Sequence, residues 1–169
     1  MQRTMMQTIL GANGQIAVEL ARELQRNQTR ELRLVNRNPR KVNDSDVVVA
    51  ADLLDAGQTA RAVEGSSIVY LTAGLPPDTE MWEKQFPTMP KNALDASWAA
   101  GAKFAYFDNT YMYSQDDRLL REETPFAPVG RKGRVRARTT TLVLEEVAHR
   151  SFTAQARPRA SPMLSSPTN

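Results

Sequence analysis

At 169 residues, with 41% hydrophobic and 24% charged residues, the chain has the length and composition of one globular domain with its own core. It holds no cysteine and a single histidine, His149, which excludes disulfides, thiolate metal centres and histidine clusters. No segment approaches the about 20 apolar residues of a membrane helix and no signal-like apolar core opens the chain, so a cytoplasmic protein without a membrane partner is expected.

The pattern along the chain alternates short apolar runs with longer amphipathic ones. "MMQTIL", Met5 to Leu10, predicts a first strand, and Ile16, Leu20, Ala21 and Leu24 recur after it at helical spacing. "LRLVN" (Leu32 to Asn36), "DVVVAA" (Asp46 to Ala51) and "SIVYLTAG" (Ser67 to Gly74) predict the next three strands, with a short helix in "LLDAGQTARAVEG" before the last of them. A helical stretch from Asp78 to Ala100 follows, to be kinked or restarted at Pro87 and Pro90. "AKFAYFDN", Ala102 to Asn109, predicts a fifth strand, and Gly130 to His149 a last helix. Strand and helix alternating at this spacing imply parallel strands with right-handed crossovers: a Rossmann-like, doubly wound α/β sheet of about five strands, spanning residues 1–150. Residues 151–169 are rich in Ser, Pro, Ala and Thr and are expected to be disordered.

The turn between the first strand and its helix reads Gly11-Ala12-Asn13-Gly14-Gln15-Ile16-Ala17. Gly11 suits the tight strand-to-helix turn, Gly14 lets a pyrophosphate approach the backbone, and Ala17 is small enough for the helix to sit close on the sheet. The helix N-terminus then offers free N–H groups and a positive dipole end to phosphates, which marks Gly11, Asn13, Gly14, Gln15 and Ile16 as cofactor-binding candidates. The second strand ends in "VNRNPRK", where an NAD site normally places an acid for the ribose hydroxyls. Asn36 and Arg37, followed by Arg40 and Lys41, instead suit a 2′-phosphate, so NADP is favoured over NAD as the nicotinamide dinucleotide.

The motifs "GANGQIA", "NRNP", "ADLLD", "VYLTAG" and "FDNTYMYS", in that order over residues 7–150, resemble the extended and atypical short-chain dehydrogenase/reductase superfamily, in particular NAD-dependent epimerase/dehydratase proteins. The resemblance implies that Asp52 and Leu53 border the adenine, that Thr72, Ala73 and Gly74 line the nicotinamide ribose, and that Asn109 is a further cofactor-binding residue. Asp52 is also placed to cap the helix in "ADLLDA". Members of this superfamily use a Tyr-x-x-x-Lys pair; aligning "PVGRKGRVRAR" with that spacing puts Lys132 at the tyrosine and Arg136 at the lysine, where Arg136 can hold a ribose or phosphate. A lysine of ordinary pKa, about 10.4, is a poor substitute for an activated phenol, which leaves Tyr111 and Tyr113 as replacement acids. The superfamily continues with a sixth strand and a substrate-binding part, of which "FTAQARP" is the only trace here, so the resemblance implies a chain cut short.

Two functions follow: the NAD(P)-binding domain of an epimerase/dehydratase-type or NAD(P)H-dependent oxidoreductase, or a redox sensor that reads NADP(H) without turnover. Residues 130–169 hold 8 of the 22 Lys/Arg but only 2 of the 19 Asp/Glu. This basic end lacks interleaved aromatic residues, so a nucleic-acid partner is not expected. The small-molecule substrate stays open, and a homodimer is one way to cover the free edge of the sheet.

Overall fold

The computed structural model describes residues 6–156, and side chains up to residue 150. Among the described residues five strands form one parallel sheet in the order β3-β2-β1-β4-β5: β1 (Gln7–Leu10), β2 (Leu32–Asn36), β3 (Val47–Ala50), β4 (Ile68–Leu71) and β5 (Lys103–Tyr106). The helices are α1 (Gln15–Asn27), α2 (Ala56–Val63), α3 (Thr79–Gln85), α4 (Thr88–Ala99) and α5 (Gly130–Ala156).

β1 lies in the middle, pairing Ile9 with Leu34 of β2 on one side and with Tyr70 of β4 on the other. All four of its residues are buried, as a strand flanked on both edges and both faces must be. Its two polar residues find partners: Thr8 shares a 2.7 Å hydrogen bond with Ser66, and Gln7 accepts one from the Tyr70 hydroxyl at 2.9 Å. Ile9 and Leu10 point to opposite faces. Ile9 joins Leu32, Leu34 and the α1 residues Ala17, Ala21 and Leu24, while Leu10 joins Val35, Val69, Leu71 and residues of α2 to α5, among them Val63, Trp82, Ala93 and Val135. Each fully buried aliphatic side chain in these two layers contributes about 1.5–3 kcal/mol.

The chain runs outward from β1 to β3 and then crosses back to β4 beside β1, so the connections leave the C-terminal ends of these two strands in opposite directions. A crevice opens where strand order reverses in this way. Gly11 and Gly14 follow β1 at that point, and Thr72, Ala73 and Gly74 follow β4.

Three local readings change. Asp55, not Asp52, caps α2, accepting from the Gln58 N–H at 2.8 Å, because it stands directly before the first helical residue. The break in the long helix falls at Phe86 and Pro87, whereas Pro90 sits in the first turn of α4, where its missing N–H has no intrahelical acceptor to lose. α5 runs through to Ala156 instead of ending near His149, so the backbone of 151–156, the start of the tail expected to be disordered and part of the "FTAQARP" trace of a sixth strand, is helical. The rest of that tail lies outside the described residues.

Candidate functional site

Gly11 has a φ of +92°, and a Cβ added there would stand 2.5 Å from the Cα of Ala73. Only glycine permits this conformation beside this neighbour. Gly14 differs: its backbone is extended, φ −73° and ψ 153°, and an added Cβ would meet only the Gly11 carbonyl oxygen, at 3.4 Å. The fold therefore requires glycine at 11 and not at 14, where the missing side chain leaves open the space at the head of α1. The turn is tied to β2, with the N–H groups of Gly11 and Ala12 both bonded to the Val35 carbonyl, at 2.9 and 3.0 Å. α2 and α3 each start on an aspartate that accepts from a backbone N–H, but α1 has no side-chain cap and no acid in its first turn. Its first amides and its positive dipole end are left for an anion.

Beside the turn, the loop after β2 carries Arg37, Arg40 and Lys41, all exposed. Asn13 reaches across to this loop, its Nδ2 donating to the Asn38 carbonyl at 2.7 Å and its Oδ1 accepting from the Arg40 N–H at 3.3 Å. A cleft of about 70 Å³ joins the ends of three strands, lined by Asn36 and Arg37 at the end of β2, Asp52 and Leu53 after β3, and Gly74 after β4. Leu75, Gln85 and Met89 close it from the far side. Asp52 is held in place by its own loop, its carboxylate accepting from the Leu54 N–H at 3.0 Å. On the α1 side of the sheet, Ile16, Leu20, Tyr70, Thr72 and the half-exposed Phe107 border a larger apolar cleft of about 510 Å³.

Where β5 meets α5 the arrangement is tighter. Arg136 is 7% exposed and donates to Asp108 at 2.9 Å and to the Tyr106 hydroxyl at 3.2 Å. Its guanidinium lies 3.7 Å from the centre of the Phe86 ring and 5.1 Å from that of Trp82, which offsets part of the cost of burying the charge. The second Asp108 oxygen accepts from the Thr140 hydroxyl, while the Arg136 Nε, also buried, has no partner among the described residues. Burial, with Asp108 close by, pushes the Tyr106 hydroxyl up to about 12.

Of the candidates for proton transfer, Tyr111 is half exposed and stacks on Trp82 with ring centres 6.0 Å apart. Tyr113 instead packs edge-on against Phe126 at 5.3 Å. Lys132 donates to the Pro77 carbonyl at 3.1 Å and lies 5.3 Å from the Trp82 ring centre, so it ties α5 to the loop after β4. Asn109 accepts from the Tyr111 N–H at 3.0 Å and shapes the β5 exit. The fold thus gathers the turn, the β2 end, Asp52, Leu53 and Thr72 to Gly74 along one edge of the sheet, with Asn109, Tyr111 and Lys132 at its β5 side. Sequence reasoning passed over Trp82 and Phe86, and read Asp108 only as a residue standing where the resembled superfamily commonly has a serine. The first two stand four apart in "WEKQF", a helical aromatic pair indistinguishable in sequence from ordinary core.

Among solved structures the fold resembles a mutated uronate dehydrogenase (TM-score 0.71, 17% identity, 82% of this chain and 52% of that one). It also resembles the uronate dehydrogenase of Agrobacterium tumefaciens (TM-score 0.69, 20% identity, 86% and 56%). A third is the Bordetella bronchiseptica enzyme WbmG in complex with NAD (TM-score 0.71, 18% identity, 85% and 50%). The chain spans about half the length of each of these proteins. No curated protein matches it. Residues 11–112, from the glycine turn past the end of β5, match the family described as NAD(P)H-binding, and with most of its length so matched the chain belongs to that family.

Proposed function

We propose that the domain prefers NADP(H) to NAD(H), and one observation carries this: β2 ends on Asn36 and Arg37 with Arg40 and Lys41 close behind and no carboxylate among them. An acid there would bind ribose hydroxyls and repel a phosphate, whereas guanidinium groups make charge-assisted bonds to one. The remaining residues fit a dinucleotide. The amides of Gln15 and Ile16 and the space over Gly14 would take the pyrophosphate, and Asn13 would border it. Asp52 and Leu53 would border the adenine, and Thr72, Ala73, Gly74 and Asn109 the nicotinamide ribose. The bound nicotinamide supplies hydride exchange. A cytoplasmic location accords with the absence of cysteine.

Titration calorimetry with NADPH and NADH tests the preference. A charge-assisted contact contributes about 1.5–3 kcal/mol, which corresponds to roughly a tenfold to hundredfold ratio of affinities, and Arg37→Ala should erase most of it. Equal affinities in the parent chain would overturn the reading.

A second reading, a regulatory protein that binds NADP(H) without turnover, is favoured by Arg136. Its guanidinium is 7% exposed, lies against two aromatic rings and pairs with Asp108 and Tyr106, so it is turned into the protein and away from a ribose at the surface. Lys132, bonded to a backbone carbonyl, stands where the related enzymes carry the proton-exchanging tyrosine. If the chain does exchange hydride, Tyr111 is the proton donor best placed to serve it, being exposed on the Trp82 ring.

A further inference from the structure

We infer that Asn13 is a positioning residue for cofactor choice: its side-chain amide locks the loop after β2 to the glycine turn and so sets where the basic side chains of that loop stand relative to the pyrophosphate site. The inference rests on the NADP(H) reading above. It adds a residue that itself carries no charge and need not touch the distinguishing phosphate.

Backbone bonds from Gly11 and Ala12 hold the turn to Val35, which is still within β2. Past Asn36 the chain leaves the sheet, and for residues 37–41 the sheet ladder gives no further support. Within the loop, the Asn38 N–H bonds to the Asn36 Oδ1 at 3.3 Å, and Lys41 donates to the Asp44 carbonyl at 3.0 Å. Besides Asn36, at the end of β2 itself, the one side chain among the described residues that bonds this segment from outside is Asn13. It does so in both directions, donating to Asn38 at 2.7 Å and accepting from Arg40 at 3.3 Å. One amide group thus satisfies a carbonyl and an N–H two residues apart. That pairing fixes the loop in orientation as well as distance.

The consequence is electrostatic. Arg37 and Arg40 are exposed and make no ion pair among the described residues, so their heads are free to meet an anion, and only the placement of their backbone limits where. Arg40 and Lys41, together with Ala12 and Asn13 themselves, line a cleft of about 280 Å³ against α1. A phosphate on the adenosine ribose has to satisfy the turn and this loop at the same moment. A loop free to swing would give up part of the charge-assisted bonding to ordering entropy. A cofactor without that phosphate makes no demand on the loop's cations and loses less when the lock is removed.

The test is a double-mutant cycle on the whole chain, with NADPH and NADH titrated into the parent, Asn13→Ala, Arg37→Ala and the double variant. Asn13 is exposed, so Asn13→Ala should leave the melting temperature close to that of the parent. We expect Asn13→Ala to cut the NADPH/NADH affinity ratio by about tenfold. In the double variant the two losses should be strongly non-additive, because both act through the same phosphate contact. A purely structural role for Asn13 would weaken both cofactors equally and leave the ratio unchanged, and that result overturns the inference. So does full additivity with Arg37→Ala. A parent chain that shows no preference for NADPH would instead overturn the NADP(H) reading itself, an outcome visible before any variant is made.

Discussion

A methyl group at Gly11 would collide with the backbone of Ala73, whereas one at Gly14 would meet nothing closer than 3.4 Å. The two glycines therefore predict opposite phenotypes. Gly11→Ala should lower stability by about 1–3 kcal/mol through strain at a positive φ and overpacking against Ala73 in the loop after β4, seen as a lower melting temperature. Gly14→Val should leave the circular dichroism spectrum and melting temperature near those of the parent yet abolish dinucleotide binding; a variant that still binds would make the turn structural. Tyr106 gives a second test at this scale. With its hydroxyl raised to about 12 in the folded chain, against about 10 unfolded, it stays protonated in the native state at pH values where the unfolded chain ionises. The stability it contributes is present below pH 10 and is lost as the pH rises through 10 to 12. Alkaline titration followed by tyrosinate absorbance should show a late step that Tyr106→Phe removes.

The helices differ in how they begin, and the difference separates support from function. α2 is started by Asp55, so Asp55→Ala should cost about 1 kcal/mol by thermal or urea denaturation while cofactor affinity changes little. α1, without such a cap, keeps its amides for a ligand. α5 approaches the rest of the fold through Gly133, where an added Cβ would lie 2.6 Å from the Tyr111 carbonyl oxygen. Gly133→Ala should push the head of α5 away from the β5 exit, breaking the Lys132 bond to Pro77 and disturbing the Trp82 stack. Quenching or shift of tryptophan fluorescence would report it, and an unchanged spectrum would show that the loop yields instead.

At the scale of the molecule, among the described residues the α2-to-α5 side of the sheet is well covered, while α1 is the one helix on the other side and the cleft beside Tyr70 and Phe107 lies next to it. The glycine turn, the β2 end and the Asp52–Leu53 segment stand together along the C-terminal edge of the sheet. With Lys132 and Arg136 both engaged by the protein, the described domain should bind NADPH and show little hydride exchange, since loss of a general acid alone removes about 10²–10⁴-fold in rate. Affinity and NADPH oxidation measured side by side check this, and steady turnover of a carbonyl or nucleotide-sugar substrate would redirect attention to Tyr111.

Local patterning sufficed for the parallel α/β sheet, for the strand "LRLVN" to the residue, and for the glycine turn and basic β2 end. Each of these depends on neighbours within a few positions, through strand alternation, helical spacing or the conformational freedom of glycine. What only the tertiary structure decided depends on residues distant in the chain. "ADLLDA" offers two aspartates as a cap, and the position of the α2 start chose Asp55 and left Asp52 to its own loop. The spacing in "GRKGRVRAR" singles out Arg136 as a residue to hold a ribose or phosphate, but says nothing of its burial against the protein. Arg136 alone is turned inward, because the chain brings Asp108 and Tyr106 from β5 and two aromatic rings from the α3 segment to meet it. Likewise the lock between Asn13 and the 38–40 backbone exists only once β1 and β2 are paired, and no spacing rule in the sequence encodes it.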